Sequence, residues 1–312
     1  MTAHRLASAV LVILIIAPSC KRRSSAPVKK DDAGLLALPP KGRVVLQTTW
    51  VVPEVKLEVH AVQNKERDLD ATALAQRLGS GLRESEFFVA DERETPAGRT
   101  FAAATVAGRL SYDLIEEGST GSPAIIVALE VALIPLRSGL LPVSDNVLVE
   151  RVIDPRESAD DIDAAISARA GGAIDVSVRG LIEKERLRGA PAADLATALR
   201  GSTDIALWAL DLIADRRELR LLDDVVAQLT ARDEKVAQAA ITTLVALGER
   251  SAVGPLTKLA DFQDYEQLRV LIEASASLGG DDAIEFLEFV ASGHPDDEIK
   301  ELAADALKRL RP

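Results

Sequence analysis

The chain has 312 residues, a formal net charge of −12, 47% hydrophobic and 3% aromatic residues, and a single cysteine. That length gives one large or two modest domains, with cores built mainly of Ala, Leu, Val and Ile, no intramolecular disulfide and no cysteine-based metal site. Charge is unevenly spread, net +6 over residues 1–43, −8 over 44–189 and −10 over 190–312, and such an acidic body repels phosphate backbones, which argues against a nucleic-acid partner.

The N-terminus comes first. His4 and Arg5 precede a mostly apolar run from Leu6 to Ala17, and Ala17-Pro18-Ser19 then leads into Cys20. The run is too short to cross a ~30 Å hydrocarbon core as a helix, which needs about 20 residues, but it fits the core of a signal peptide. The Ala-Pro-Ser-Cys end resembles the lipobox of bacterial lipoproteins, with Ala17 at the position the family usually fills with Leu. The resemblance implies that residues 1–19 are a signal and that Cys20 is lipidated as the mature N-terminus. It also implies, with no Asp at position 21, an outer-membrane anchor facing the periplasm. An ordinary secretory signal and an uncleaved anchor are the alternatives. Lys21, Arg22 and Arg23 favour a cytoplasmic flank by the positive-inside rule. Residues 20–43, rich in Lys, Ser and Pro, read as the lipid-bearing cysteine and a flexible tether.

Residues 44–189 read as an α+β module. Val44-Val45-Leu46 and Val55-Lys56-Leu57-Glu58-Val59 are strand-like. Asp70 is a candidate N-cap for a helix with Leu74, Leu78 and Leu82 on one stripe. Phe87-Phe88-Val89, then Phe101 to Leu114, Ala124 to Pro135 and Asn146 to Val152 follow as strands, with a turn at residues 116–122. A last helix starts near Ser158, with Ile162, Ala165, Ile166 and Ala170 on one face. Consecutive strands without helices between them predict a largely antiparallel sheet with helices on one face. The stretch from Leu74 to Leu110 resembles the small modules of envelope proteins such as the TolB N-terminal domain and CsgG- or LpoB-like lipoproteins. Those modules imply docking or assembly.

Residues 190–312 carry a repeat of about 31 residues. Ile205, Trp208, Ala209, Leu212 and Ile213 form one helix face. The pattern returns at Val236, Ala239, Ala240, Thr243, Leu244, then at Leu268, Leu271, Ile272, Ser275, Ala276, and again from Ile299 to Leu307. A second face repeats from Leu222, Val225, Val226 and Leu229 to Val253, Leu256, Thr257 and Ala260. It returns at Ile284, Leu287, Glu288 and Ala291. Asp233, Asp264 and Asp296 are placed to cap the first helices, and Leu247-Gly248 and Leu278-Gly279-Gly280 to end them. The pattern resembles HEAT repeats, especially the short phycobilin-lyase-like type, best in Asp233 to Gly248. Stacked helix pairs then share one continuous core. A further unit starting at Ile174, Val178 and Ile182 would overlap the last helix of the α+β module, so that helix belongs to either part or to both.

Little points to catalysis. His4, His60 and His294 lie in three different parts of the chain. Gly79-Ser80-Gly81 lacks the strand–loop–helix context of a phosphate cradle. His294, between Gly and Pro, reads as a loop residue. Paired carboxylates at repeat turns read as helix caps rather than metal ligands. Trp208 reads as core, and Trp50 as core or interface. The expected function is therefore that of a membrane-anchored scaffold that is not an enzyme and needs no cofactor or metal. It would dock protein partners, basic ones in particular, on an inner face formed by second helices. Candidate contacts are Asp223, Gln228, Lys258, Glu285 and Glu288. A phycobilin-lyase-like small-molecule handler and a structural subunit of an envelope assembly stand as alternatives. The oligomeric state stays open.

Overall fold

The computed structural model describes residues 48–62, 69–137 and 139–311. Cys20, the signal-like segment, the tether and the Val44–Leu46 strand lie outside them. The first half runs β1 (Thr48–Val51), β2 (Val55–Ala61), α1 (Ala71–Arg83), β3 (Phe88–Val89), β4 (Thr100–Ile115), β5 (Ala124–Pro135), β6 (Val143–Val152) and α2 (Ala159–Arg188).

The sheet is mixed, ordered β3-β1-β4-β5-β6, with β2 also on β4. The two long ladders, β4–β5 and β5–β6, are antiparallel, as short turns between strands require. β1 and β2 lie parallel to β4 along one edge, because helix α1 carries the chain back before β4 begins. The two share that edge with a slip of one residue: Val51 pairs with Ala103, and Val55 with Val106. Pro53, which has no N–H to give a ladder, stands at the slip.

Alternation then sorts the faces. On one side Val106, Leu110, Tyr112, Val127, Leu129 and Val131 are buried, under α1 and α2. The opposite face bears small or polar residues such as Ala107, Ser111, Ala128 and Ser144, together with the exposed Ile134 and Leu148. Asp70 caps α1 by accepting from the Ala73 N–H at 2.9 Å. Leu78 and Leu82 are buried against the sheet, worth about 1.5–3 kcal/mol each. Ser158 and Asp161 form a reciprocal capping box at the start of α2.

Helix α2 answers the boundary question left by the sequence. It is one helix of 30 residues. Ile166, Ala170, Ile174 and Leu181 are fully buried, and the helix packs on β5, β6 and α1 and also reaches the first long helix of the second half. The stretch Arg43–Pro312 accordingly forms one compact unit.

The second half is helical: α3 (Ala192–Ala198), α4 (Thr203–Arg216), α5 (Leu222–Ala227), α6 (Glu234–Leu247), α7 (Val253–Thr257), α8 (Tyr265–Leu278), α9 (Asp281–Gly293) and α10 (Asp297–Leu310). Helices α4, α6, α8 and α10 are the first helices of the repeats, each of 14 residues. Asp233, Asp264 and Asp296 cap α6, α8 and α10 through backbone N–H groups, as their spacing predicts. Gly248 ends α6 in the left-handed conformation at φ 73°. Arg217 takes that same role after α4 at φ 50° without being glycine.

The second helices are less regular than the sequence periodicity predicts. Helix α5 has 6 residues and α7 has 5, and 3-10 turns lead into both, at Leu219–Leu221 and Arg250–Ala252. Gly254-Pro255 inside α7 explains its shortness, since neither residue favours helix. Helix α9, free of internal breakers, runs 13 residues. Its buried face is Ala283, Phe286, Leu287 and Val290. That is rotated from the Ile284–Leu287–Glu288–Ala291 set, and Glu288 points to solvent. Phe286 displaces the face because it buries far more apolar area than Ile284 would alone.

Candidate interaction surface

The residues expected to contact a partner are distributed over the second helices of three successive repeats. Asp223 is exposed on α5, and Gln228 is half-buried in the 3-10 turn after it. Lys258 is exposed at the end of α7, and Glu285 and Glu288 are exposed on α9. Glu288 is engaged by Arg311, Nη1 to Oε1 2.6 Å. Among the described residues, Asp223, Lys258 and Glu285 have no ion-pair partner.

A more distinctive feature lies where α7 turns into α8. Phe262 and Tyr265 are 36% and 41% exposed, and Phe289 on α9 is 61% exposed. Phe262 meets Phe289 edge-to-face, with centroids 5.5 Å apart. Tyr265 meets the His294 ring in the same way at 5.2 Å. His294 is not the plain loop residue its Gly and Pro neighbours predict. Its ring is buried, with Nε2 3.1 Å from the Phe262 carbonyl and Nδ1 accepting the Asp296 N–H at 3.1 Å. Because Nδ1 accepts, Nε2 donates, which fixes the neutral tautomer and pins the α7–α8 loop to the start of α10. Asp264 lies within the Phe262–Tyr265 segment and Asp261 and Glu266 flank it, while on α9 Glu285 precedes Phe289 by one turn and Glu288 by one residue. The sequence carried a signal for this cluster: four of its few aromatics fall at 262, 265, 286 and 289.

A second concentration of charge is internal. Lys184, Glu185 and Arg188 on α2 are each under 9% exposed. Lys184 Nζ binds Asp145 of β6 at 2.9 Å, the Ser144 carbonyl and Asp204 of α4. Glu185 accepts two hydrogen bonds from Arg188, whose Nη2 also reaches the Leu141 carbonyl at 2.9 Å. The Arg188 guanidinium lies over the rings of both Trp50 and Trp208. Trp208 Nε1 donates to the Lys184 carbonyl at 2.7 Å. Arg216 of α4 donates to the carbonyls of Leu187, Arg188 and Ala190 at the end of α2, satisfying acceptors that a helix C-terminus leaves open. Burial pushes the Asp145 carboxyl above its usual range, against the pull of Lys184. The charges of Lys184, Glu185 and Arg188 are all paired within this seam, with Asp204 at its exposed rim and the buried Trp50 Nε1 without a hydrogen-bond partner among the described residues. These groups weld the sheet module to the solenoid.

Among the described residues, no three His, Cys, Asp or Glu side chains are grouped to hold a metal ion. No helix among them is long and apolar enough to cross a membrane. Residues 204–308 match the family described as HEAT repeats. The C-terminal part of the chain is thus a HEAT-repeat solenoid, an architecture that commonly mediates protein–protein interaction through its extended surface. No curated protein matches the chain.

Proposed function

We propose that this chain is an exported scaffold, lipid-anchored through Cys20 in the cell envelope, whose HEAT-repeat solenoid docks protein partners bearing basic side chains. It acts by binding and not by catalysis. The observation that carries the docking reading is the exposed cluster of Phe262, Tyr265 and Phe289 set among carboxylates. Aromatic faces attract guanidinium and ammonium groups, and aromatic anchors dominate the energetics of interfaces. Asp223 and Glu285, without cation partners among the described residues, extend the same negative character along the second helices. The anchoring reading is supported by the position of the only cysteine, at the end of the signal-like run. Absence of Asp at position 21 favours the outer membrane, with the body facing the periplasm.

Two measurements test the two halves of this reading. Mass spectrometry of the N-terminus from membrane fractions should show lipid on Cys20, and Cys20→Ala should be released or unprocessed. An unmodified Cys20 in membrane-bound protein refutes the anchor. In-cell crosslinking should give discrete adducts that Phe289→Ser and the charge reversals Asp223→Lys and Glu285→Lys diminish while the thermal midpoint stays put. Adducts indifferent to all three substitutions would show that the partner uses another surface.

A further inference from the structure

Strand β6 ends the sheet, and the direction of its hydrogen bonds can be read at both ends. Ile153, just past the strand, donates its N–H to the Pro123 carbonyl beside β5 at 2.8 Å. The Ser144 carbonyl turns the other way, to Lys184 Nζ. In an antiparallel strand the N–H and C=O of one residue point to the same side and alternate from residue to residue. Asn146, Leu148 and Glu150 therefore direct both groups away from β5. Among the described residues nothing accepts from or donates to them on that side. Leu148 is 72% exposed, the highest value of any large apolar residue described. Val147 and Val149 on the helix-covered side are only half-buried.

An open edge of this kind is a template for another strand. The sequence of the edge specifies which. Asp145-Asn146-Val147-Leu148-Val149-Glu150-Arg151 is close to a chemical palindrome about Leu148. We propose that β6 pairs antiparallel with β6 of a second copy, with the two-fold axis at Leu148, to make one continuous sheet across a dimer. In that register Leu148 faces Leu148 of the other copy. Val147 lies beside Val149, completing the burial that one chain leaves unfinished. The Asn146 amide faces the Glu150 carboxylate. Isologous contacts of this form close on themselves and yield a dimer, not a fibre.

Neighbouring registers are worse for stated reasons. Moving the axis to Glu150 sets two carboxylates opposite each other. Moving it to Asn146 requires the Ser144 carbonyl, which Lys184 already occupies. Asp145 and Arg151, inward-pointing charges held by Lys184 and Glu157, bound the pairing to the central residues. This inference is independent of which partner the solenoid binds.

The test uses the full-length chain. Sedimentation across a concentration range should show a monomer–dimer equilibrium. Leu148→Lys, at a position too exposed to disturb the core, places two ammonium groups on the axis and should weaken the dimer by roughly tenfold or more. In a Cys20→Ala background, Leu148→Cys should form a disulfide dimer on mild oxidation, since hydrogen-bonded antiparallel pairs hold their Cα atoms about 5.5 Å apart, within disulfide reach. Leu136→Cys, at a comparably exposed position on the loop between β5 and β6, should crosslink far less. A chain monomeric at every concentration overturns the proposal. So does a dimer unmoved by Leu148→Lys, or crosslinking that is as fast at position 136 as at 148.

Discussion

Trp50 and Trp208 share one guanidinium: Cζ of Arg188 lies 5.2 Å from the first ring centroid and 4.9 Å from the second. One ring belongs to the first strand of the sheet and the other to the first long helix of the solenoid. The pairing makes α2, which carries Arg188, the joint between two architectures that would otherwise fold as neighbours on a string. Desolvated cation–π contacts of this kind are worth about 2 kcal/mol each. The carboxylate of Glu185, 1% exposed, depends on the same guanidinium for its charge balance.

Arg188→Ala should therefore destabilise the whole chain by about 3–5 kcal/mol, chiefly by stranding the Glu185 carboxylate in the interior. Urea unfolding followed by circular dichroism would measure it. The wild type should unfold in a single transition, because the shared helix couples both halves. The double variant Glu185→Leu, Arg188→Met should recover much of the loss, since apolar replacement of a buried pair is often neutral. A double variant no better than Arg188→Ala would mean that the tryptophan contacts, and not the stranded charge, dominate.

Gly180 and Gly172 offer opposite outcomes for the same substitution on one helix. A Cβ on Gly180 would sit 2.6 Å from Asp145 Oδ1, an atom that Lys184 holds in place. Gly180→Ala should cost about 1–3 kcal/mol by overpacking. Gly172, exposed on the same helix, has nothing within 4 Å of its would-be Cβ. Gly172→Ala should stabilise by up to about 1 kcal/mol through helix propensity. Thermal midpoints that move in the same direction for both would contradict the close approach of β6 to α2 at Gly180.

Arg217 is the only non-glycine among the described residues with positive φ. It closes α4 where Gly248 closes α6, and its side chain is exposed. Left-handed backbone crowds Cβ against the carbonyl, so Arg217→Gly should raise stability by about 0.5–1 kcal/mol. A lower midpoint in calorimetry would show that the arginine side chain contributes more than its backbone costs.

The repeats were legible because each helix must bury a stripe every 3.6 residues, and that requirement writes itself into the spacing of Trp208, Ala240, Ile272 and their neighbours. The Asp caps were legible for the same local reason: Asp233, Asp264 and Asp296 act on N–H groups two or three residues away. The seam was not. Lys184, Glu185 and Arg188 look like a solvated helical face, and only the distant Asp145, Leu141 and Asp204 reveal that they are interior. The lengths of α5 and α7 escaped the periodicity because 3-10 turns keep apolar residues near the same positions while interrupting the helix. His294 was misread because its partners, Phe262 and Tyr265, sit some thirty positions earlier in the chain.

Asp233 provides the last prediction, a pH dependence with a definite sign. The Thr203 hydroxyl, 2.7 Å from Oδ2, and the Lys235 N–H hold its carboxyl below the usual carboxylate range. A folded value below the unfolded one means that the contribution is present in full above the unfolded value of about 3.9. It is lost as pH falls from there through the folded value, because the unfolded chain then binds the proton more readily. Asp161, held low by the Ser158 hydroxyl, and Asp175, held low by Arg77, act in the same direction. The midpoint of the wild type should accordingly fall between about pH 5 and pH 3. Asp233→Asn keeps an oxygen that accepts from the Lys235 N–H but has no proton to gain, so its midpoint should start slightly lower at neutral pH and decline less steeply into acid. Parallel curves for the two proteins would show that the link between Thr203 and Asp233, which ties the first residue of α4 to the cap of α6, carries no titrating contribution to the fold.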